Sequence, residues 1–330
     1  MIRSLALSLT TLGLLALAHV VPAHAAQKVW VAYYGVDSPT CGSTSSPCRT
    51  FQLAVFNVNA GGEVGVLVPG DYGGDNGLAI NKSVSITNDG TGEATVFAPS
   101  GPPNGLSIDV FAGAGDVIAL RGLIIDGSLG GELGIVDGQA SAVHIQNCVI
   151  RNFEFGNPFG IVFNPTVRSQ LFVSDTIIFN NGSTAFTGGI LIQSQNASAS
   201  ANVVLDRVHL ENNVDGLLID GTGASGPGTH VVVRDSVMSG NVANGIHAVT
   251  IAGKSPAFVL VEHSTMVNNG QSGILTDGPG ATVLLKESTI TRNGTGVSAV
   301  NGGQLFSYGN NTNNNNLGAE GTATGFLSAF

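Results

Sequence analysis

The residues best suited to chemistry in this chain are two carboxylates and an imidazole. Asp220, His247 and Asp277 sit in like settings, "GLLID", "GIHAV" and "GILTD", each a few residues after an asparagine. Such a set could run acid–base chemistry, with the imidazole moving a proton and the carboxylates orienting it or offsetting charge. Inverting cleavage of a sugar bond needs two carboxyl groups about 6.5–9.5 Å apart. A second stretch, "VEHSTMVNNGQSGILTD" from Val261, sets His263 beside Glu262 and ahead of Asn268 and Asn269. What positions these groups decides whether either set is a site.

They belong to a repeat. "VHIQNCVIRNF" from Val143, "LFVSDTIIFNN" from Leu171, "VVLDRVHLENN" from Val203, "VVVRDSVMSGN" from Val231, "VLVEHSTMVNN" from Val259 and "VLLKESTITRN" from Val283 align without gaps. Their starts are 28, 32, 28, 28 and 24 residues apart, and weaker copies begin at Ile118 and Leu305. Within each, apolar side chains alternate with polar ones, the pattern of a strand with one buried face. No segment here has the apolar spacing of a ten-residue helix, which disfavours a βαβ arrangement. Stacked coils of three short strands make a parallel β-solenoid that climbs roughly 4.8 Å per coil. Asp220 and Asp277 then share a column two rungs apart, roughly 10 Å between Cα atoms, and His247 is one coil from each, offset by two residues.

The polar positions also form columns. The eleventh reads Asn181, Asn213, Asn241, Asn269, Asn293 and Asn315, with Phe153 the exception. Asparagine tolerates a left-handed backbone and bonds to copies of itself above and below, which turns a corner. The fourth position runs Asp206, Arg234, Glu262, Lys286, and the fifth Asp175, Arg207, Asp235, His263, Glu287. Opposite charges on neighbouring rungs attract. His263 thus reads as a surface rung between Asp235 and Glu287.

Residues 1–25 read as an export signal: Arg3, an apolar run, then "AHA" at 23–25. The chain is therefore expected to be exported, to the periplasm or outside the cell, and no later stretch is apolar enough to span a membrane. With 12 Lys and Arg against 22 Asp and Glu, the formal charge is −10, which argues against nucleic acid as a partner. Cys41 and Cys48 bracket a short loop and are expected to form a disulfide. Cys148 falls inside the repeat and reads as a buried small side chain.

The segment "DSPTCGSTSSPCRTFQLAVFNVNAGGEVGVLVPGDYG" resembles the entry segment of exported right-handed β-helix proteins of the pectin-lyase-like superfamily. Pro47, Thr50 and Phe51 match the opening of a capping helix, and Val68, Pro69, Gly70 and Tyr72 match the end of the first coil strand. The helical spacing of Phe51, Ala54, Val55 and Val58 fits, with Ser46–Pro47 as its start. The resemblance implies an all-β, right-handed parallel β-helix, a solenoid of about ten coils with a short N-terminal capping helix. After the signal the reading is one domain, 26–330: capping helix at about 46–58, coils at 64–316, C-terminal tail at 317–330.

The superfamily's catalytic patterns are missing. The chain has no Asp-Asp, no Arg-x-Lys, no His-Gly, no Arg-x-Pro-x-x-Arg and no Asp-Pro-His. The expected function is a scaffold or binding protein contacting polysaccharide; the alternative is a polysaccharide lyase or glycoside hydrolase acting through surface carboxylates on one sheet face. Aromatic side chains gather where the asparagine column breaks: Phe153, Phe155, Phe159, Phe172, Phe179 and Phe186 are the candidate ligand contacts, able to stack on sugar rings, and the alternative is a hydrophobic plug that holds the long loop down. Asp109, Asp116, Asp126, Glu132 and Asp137 form an acidic stretch that calcium could suit, but alignment of Asp126 with Arg151 makes pairing the simpler account. No cofactor or metal is called for. The sequence does not define an oligomeric state.

Overall fold

The computed structural model describes residues 27–99 and 105–328; the expected export signal lies outside the described residues. Strands pair in parallel, coil on coil, in two continuous sheets of 20 and nine strands. The nine-stranded sheet defines about eight turns, fewer than the ten expected. No helix among the described residues is long and apolar enough to cross a membrane.

One coil shows how the sequence turns. Gly228–Arg234 forms the first strand, Val237–Ser239 the second and Ile246–Val249 the third. Between the first two, Asp235 adopts φ 49°, and Gly240 adopts φ 64° after the second. The same fifth position is left-handed at Asn147, Asp175, Arg207, His263 and Glu287. This corner points the side chain at solvent and penalises branched apolar residues, which explains its polar residues better than charge pairing alone.

The core is a set of aligned columns. Val203, Val231, Val259 and Val283 face one another in register and are at most 2% exposed. Each such side chain contributes roughly 1.5–3 kcal/mol by leaving water. At the second corner the asparagine side chains point inward. Asn241 Nδ2 donates to Asn269 Oδ1 at 2.8 Å, Asn269 Nδ2 to Asn293 Oδ1 at 2.8 Å, and Asn181 Nδ2 to Asn213 Oδ1 at 2.9 Å. The left-handed residue is the one before, at Asn180, Asn212, Asn268 and Asn315. Asn316, not Asn315, accepts from Asn293, because the last coil carries one extra residue.

A second buried polar column escaped the sequence reading. The backbone N–H of Val208, Ser236 and Ser264 donate in turn to the Oγ of Ser236, Ser264 and Ser288. Cys148 belongs to this column: its N–H donates to Thr176 Oγ1, and burial pushes its thiol up to about 11. It is a packing residue and not a nucleophile.

At the N-terminal end, Phe51–Asn57 forms the helix. Thr50, not Ser46–Pro47, caps it by accepting from the Leu53 N–H, and Thr50 Oγ1 is itself held by Asp37 at 2.8 Å. Phe51, Ala54, Val55 and Val58 join the core, and the Phe51 ring lies 5.1 Å from that of Tyr72, whose hydroxyl donates to the Val68 carbonyl. Cys41 and Cys48 form a disulfide. At the other end, Gly325–Phe326 pairs in parallel with Phe306 and Ser307.

Candidate functional site

From Gly134 to Gly296, the third strands carry at or near their start a glycine where coils touch closely. A Cβ on Gly216 would lie 2.6 Å from the Gly245 carbonyl, and one on Gly245 2.6 Å from that of Gly273. One residue earlier, polar side chains stack. Asn244 donates its N–H and Nδ2 to Asp215 Oδ1 at 3.0 and 2.9 Å, and Ser272 N–H donates to Asn244 Oδ1 at 3.1 Å. Two residues after the glycine the side chains point outward, in register as Val136, Val162, Leu191, Leu218, His247 and Leu275. His247 is the imidazole among these six, and the row continues to Asp109 beyond Val136 and to Ser298 beyond Leu275.

It is also covered. His247 is 4% exposed and Asp215 3%. Asp215 Oδ2, the oxygen Asn244 leaves free, lies 3.7 Å from His247 Nδ1, and neither ring nitrogen has a hydrogen-bond partner among the described residues. The cover is the Phe186 ring, 5.6 Å from the imidazole and tilted 37°. Phe186 holds φ 61°, a backbone conformation that bulky residues avoid. Thr187 enforces it: its Oγ1 accepts from Ser183 and Thr184 N–H and donates to the Thr184 carbonyl. The loop is thereby tied back, carrying Phe186 across the outer face of the sheet. An imidazole beside a buried carboxylate can be held in one tautomer and serve as a base. Unpaired and buried, it costs the fold.

The three residues singled out first are not one cluster. Asp220 and Asp277 face Val249 from either side, whereas His247 faces Leu218 and Leu275. Asp220 accepts from Gln193 Nε2 at 2.6 Å and from Thr222; Asp277 accepts from Asn301 Nδ2 at 2.7 Å. Both carboxylates are tied by neighbours. The charged side chain nearest His247 is Asp215, whose signal in the sequence was a polar residue before the third-strand glycine in four successive coils, at Asp215, Asn244, Ser272 and Thr295.

The phenylalanines also divide. Phe153 is fully buried in the core, and its N–H takes the Asn181 side chain as partner. Phe159 is 4% exposed in a small apolar cluster with Val162 and Leu218. Phe172 stacks on His144 at 4.7 Å, and Arg151 lies over Phe179 at 6.0 Å. Phe155 and Phe186 stand open, 59% and 60% exposed. His263, expected between Asp235 and Glu287, is half-exposed and in contact with Glu287.

The acidic stretch has separate tasks. Arg151 pairs with Asp126 at 2.8 Å. Ser83 holds the Asp116 carboxyl below its usual range, whereas burial pushes Asp109 up and Asp137 up to about 6. Among the described residues, the set of close donor atoms is Asp37, Cys41 and Cys48, whose sulfurs are in the disulfide. A further cavity of about 790 Å³ opens beside the N-terminal helix, with Asp37, Arg49, Asp71 and Asp75 along one part and Phe97 and Leu129 along another. Arg49 Nη1 there donates to the Asp71 carbonyl at 2.5 Å.

This architecture is similar to solved structures. Pectate lyase Pel9A superposes with a TM-score of 0.65 at 17% identity, over 92% of this chain and 78% of that one. The polygalacturonase from Erwinia carotovora ssp. carotovora superposes with a TM-score of 0.52 at 13% identity, over 92% and 96%. The likeness is one of fold: this chain is a parallel β-solenoid similar in architecture to both. No protein-family model and no curated protein matches its sequence.

Proposed function

We propose that this chain is an exported β-helix that binds carbohydrate on the flank carrying Phe186. The observation that carries the reading is the Phe186 ring, held by a strained backbone with the ring near a buried imidazole and 60% of the residue open to water. Strain kept at an exposed aromatic points to use, because an unused loop would relax it. An open aromatic face is a surface on which a sugar ring can stack. The likeness to a pectate lyase and a polygalacturonase supports the ligand class through fold alone. A glycan array probed with purified protein and with Phe186→Ala tests it: binding by the first and loss in the second are expected. Equal binding by both would give the ligand another site.

A second reading is favoured by one observation, the unpartnered His247 beside Asp215. In a polysaccharide lyase or hydrolase this pair would supply the base once a ligand displaced Phe186. Cleavage on the same array, abolished by His247→Gln while binding persists, would establish it. Binding without cleavage returns the chain to the binding role.

A further inference from the structure

The outer face of the first strands carries an apolar stripe beside a row of alternating charge. One outward column reads Phe172, Val204, Val232, Leu260, Leu284 and Phe306, in register over successive coils and all partly exposed. This is an apolar stripe on a sheet face that should be polar in an isolated solenoid. A groove of about 210 Å³ lies along it, bordered by His230, Phe258 and Leu284. Beside it runs the charged column Asp206, Arg234, Glu262, Lys286, whose neighbours also pair within the chain, Arg234 with Asp206 at 3.0 Å and Lys286 with Glu262 at 3.7 Å.

That column reads minus, plus, minus, plus, so its reverse is its complement. A two-fold axis lying across the sheet between the Val232 and Leu260 rungs brings the face onto itself with the coil order reversed. Arg234 then meets Glu262 of the second copy, and Asp206 meets Lys286. The apolar column follows: Val232 meets Leu260, Val204 meets Leu284 and Phe172 meets Phe306. In the column beyond, Gln170, Asn202, His230, Phe258, Thr282 and Gln304 are also in register, so His230 meets Phe258 and Gln170 meets Gln304. His230 and Phe258 already stack at 5.1 Å within one chain.

We infer that the protein forms a two-fold dimer through this face, antiparallel in its coils. Charge pairing fixes the register, since a one-rung slip sets like charges opposite, and the apolar stripe supplies the association energy. Six rungs at roughly 4.8 Å and three columns cover about 600 Å² per copy. That is the lower end of stable interfaces. The inference is independent of the carbohydrate reading, which uses another face.

Sedimentation of the purified protein across roughly 1–100 µM should show a monomer–dimer equilibrium. Leu260→Lys should weaken it at least about tenfold. Arg234→Glu with Lys286→Glu makes the charged row wholly acidic, and Asp206→Lys with Glu262→Lys makes it wholly basic. Each double variant should be monomeric alone, and the two mixed should pair. Zero-length carbodiimide coupling of the unaltered protein needs no variant to fold. Asp206 and Lys286 are three rungs apart in one chain, about 14 Å, so an amide between them can form only across two copies. Asp206 is 8% exposed and held by Arg207 and Arg234, so the amide is a minor product and is confined to the dimer band. A protein monomeric throughout the range, or a dimer that both double variants leave intact, overturns the inference. So does a monomer whose Lys286 is shielded by added oligosaccharide, which would give the stripe to a glycan.

Discussion

Asp215 Oδ2 lies 3.7 Å from His247 Nδ1, with both side chains buried and the imidazole left without a hydrogen bond among the described residues. Between Leu218 and Leu275 this is a defect unless it serves a ligand. His247→Leu should raise stability by roughly 1–3 kcal/mol, because it removes two unpaired nitrogens from between two leucines. Denaturant unfolding measures this; an unchanged or lowered midpoint would mean the imidazole is satisfied in solution.

The inward asparagines make the opposite case. Asn269 donates to Asn293 and to the Met238 carbonyl, and accepts from Asn241 Nδ2 and N–H. Asn269→Leu strands those groups in the core and should cost roughly 1–3 kcal/mol, read as a lower thermal midpoint. A neutral result would show that the corner can repack without them.

His263 is half-exposed at a left-handed corner and touches Glu287. His263→Gln should leave any measured activity intact and change stability by no more than about 1 kcal/mol. His263→Val should cost more, since a branched side chain resists that backbone. Loss of activity in the Gln variant with the fold preserved would make this residue functional.

Asp137 sets a pH dependence. Burial first, and the charge of Asp109 last among the causes, raise its carboxyl to about 6. A carboxyl raised in the folded state lends stability that is full below the unfolded value near 3.9 and lost as pH rises through about 6. Stability should therefore fall by roughly 1–3 kcal/mol from pH 4 to pH 7 on this account. Asp137→Asn should remove that share of the slope, measured by urea melts at both pH values. An unaltered slope would assign it to other groups.

By itself the sequence determined the coil. Alternation fixed which side chains of Val203, Val231, Val259 and Val283 face in, and the common spacing fixed that they stack, since in a solenoid a residue's neighbours are its own repeats one coil away. The charged rungs followed for the same reason. The repeat was silent on what leaves it. The left-handed residue could not be told from its inward neighbour in "NN", because asparagine suits both roles. The extra residue before Asn311 moved the last rung from Asn315 to Asn316. Above all, only the tertiary structure carried Phe186 over His247 and set Asp215 beside it. Alternation marked His247 as outward, and outward ordinarily means wet. Thr187 ties back a corner loop that crosses the sheet to a residue 61 positions on, a contact no local periodicity encodes.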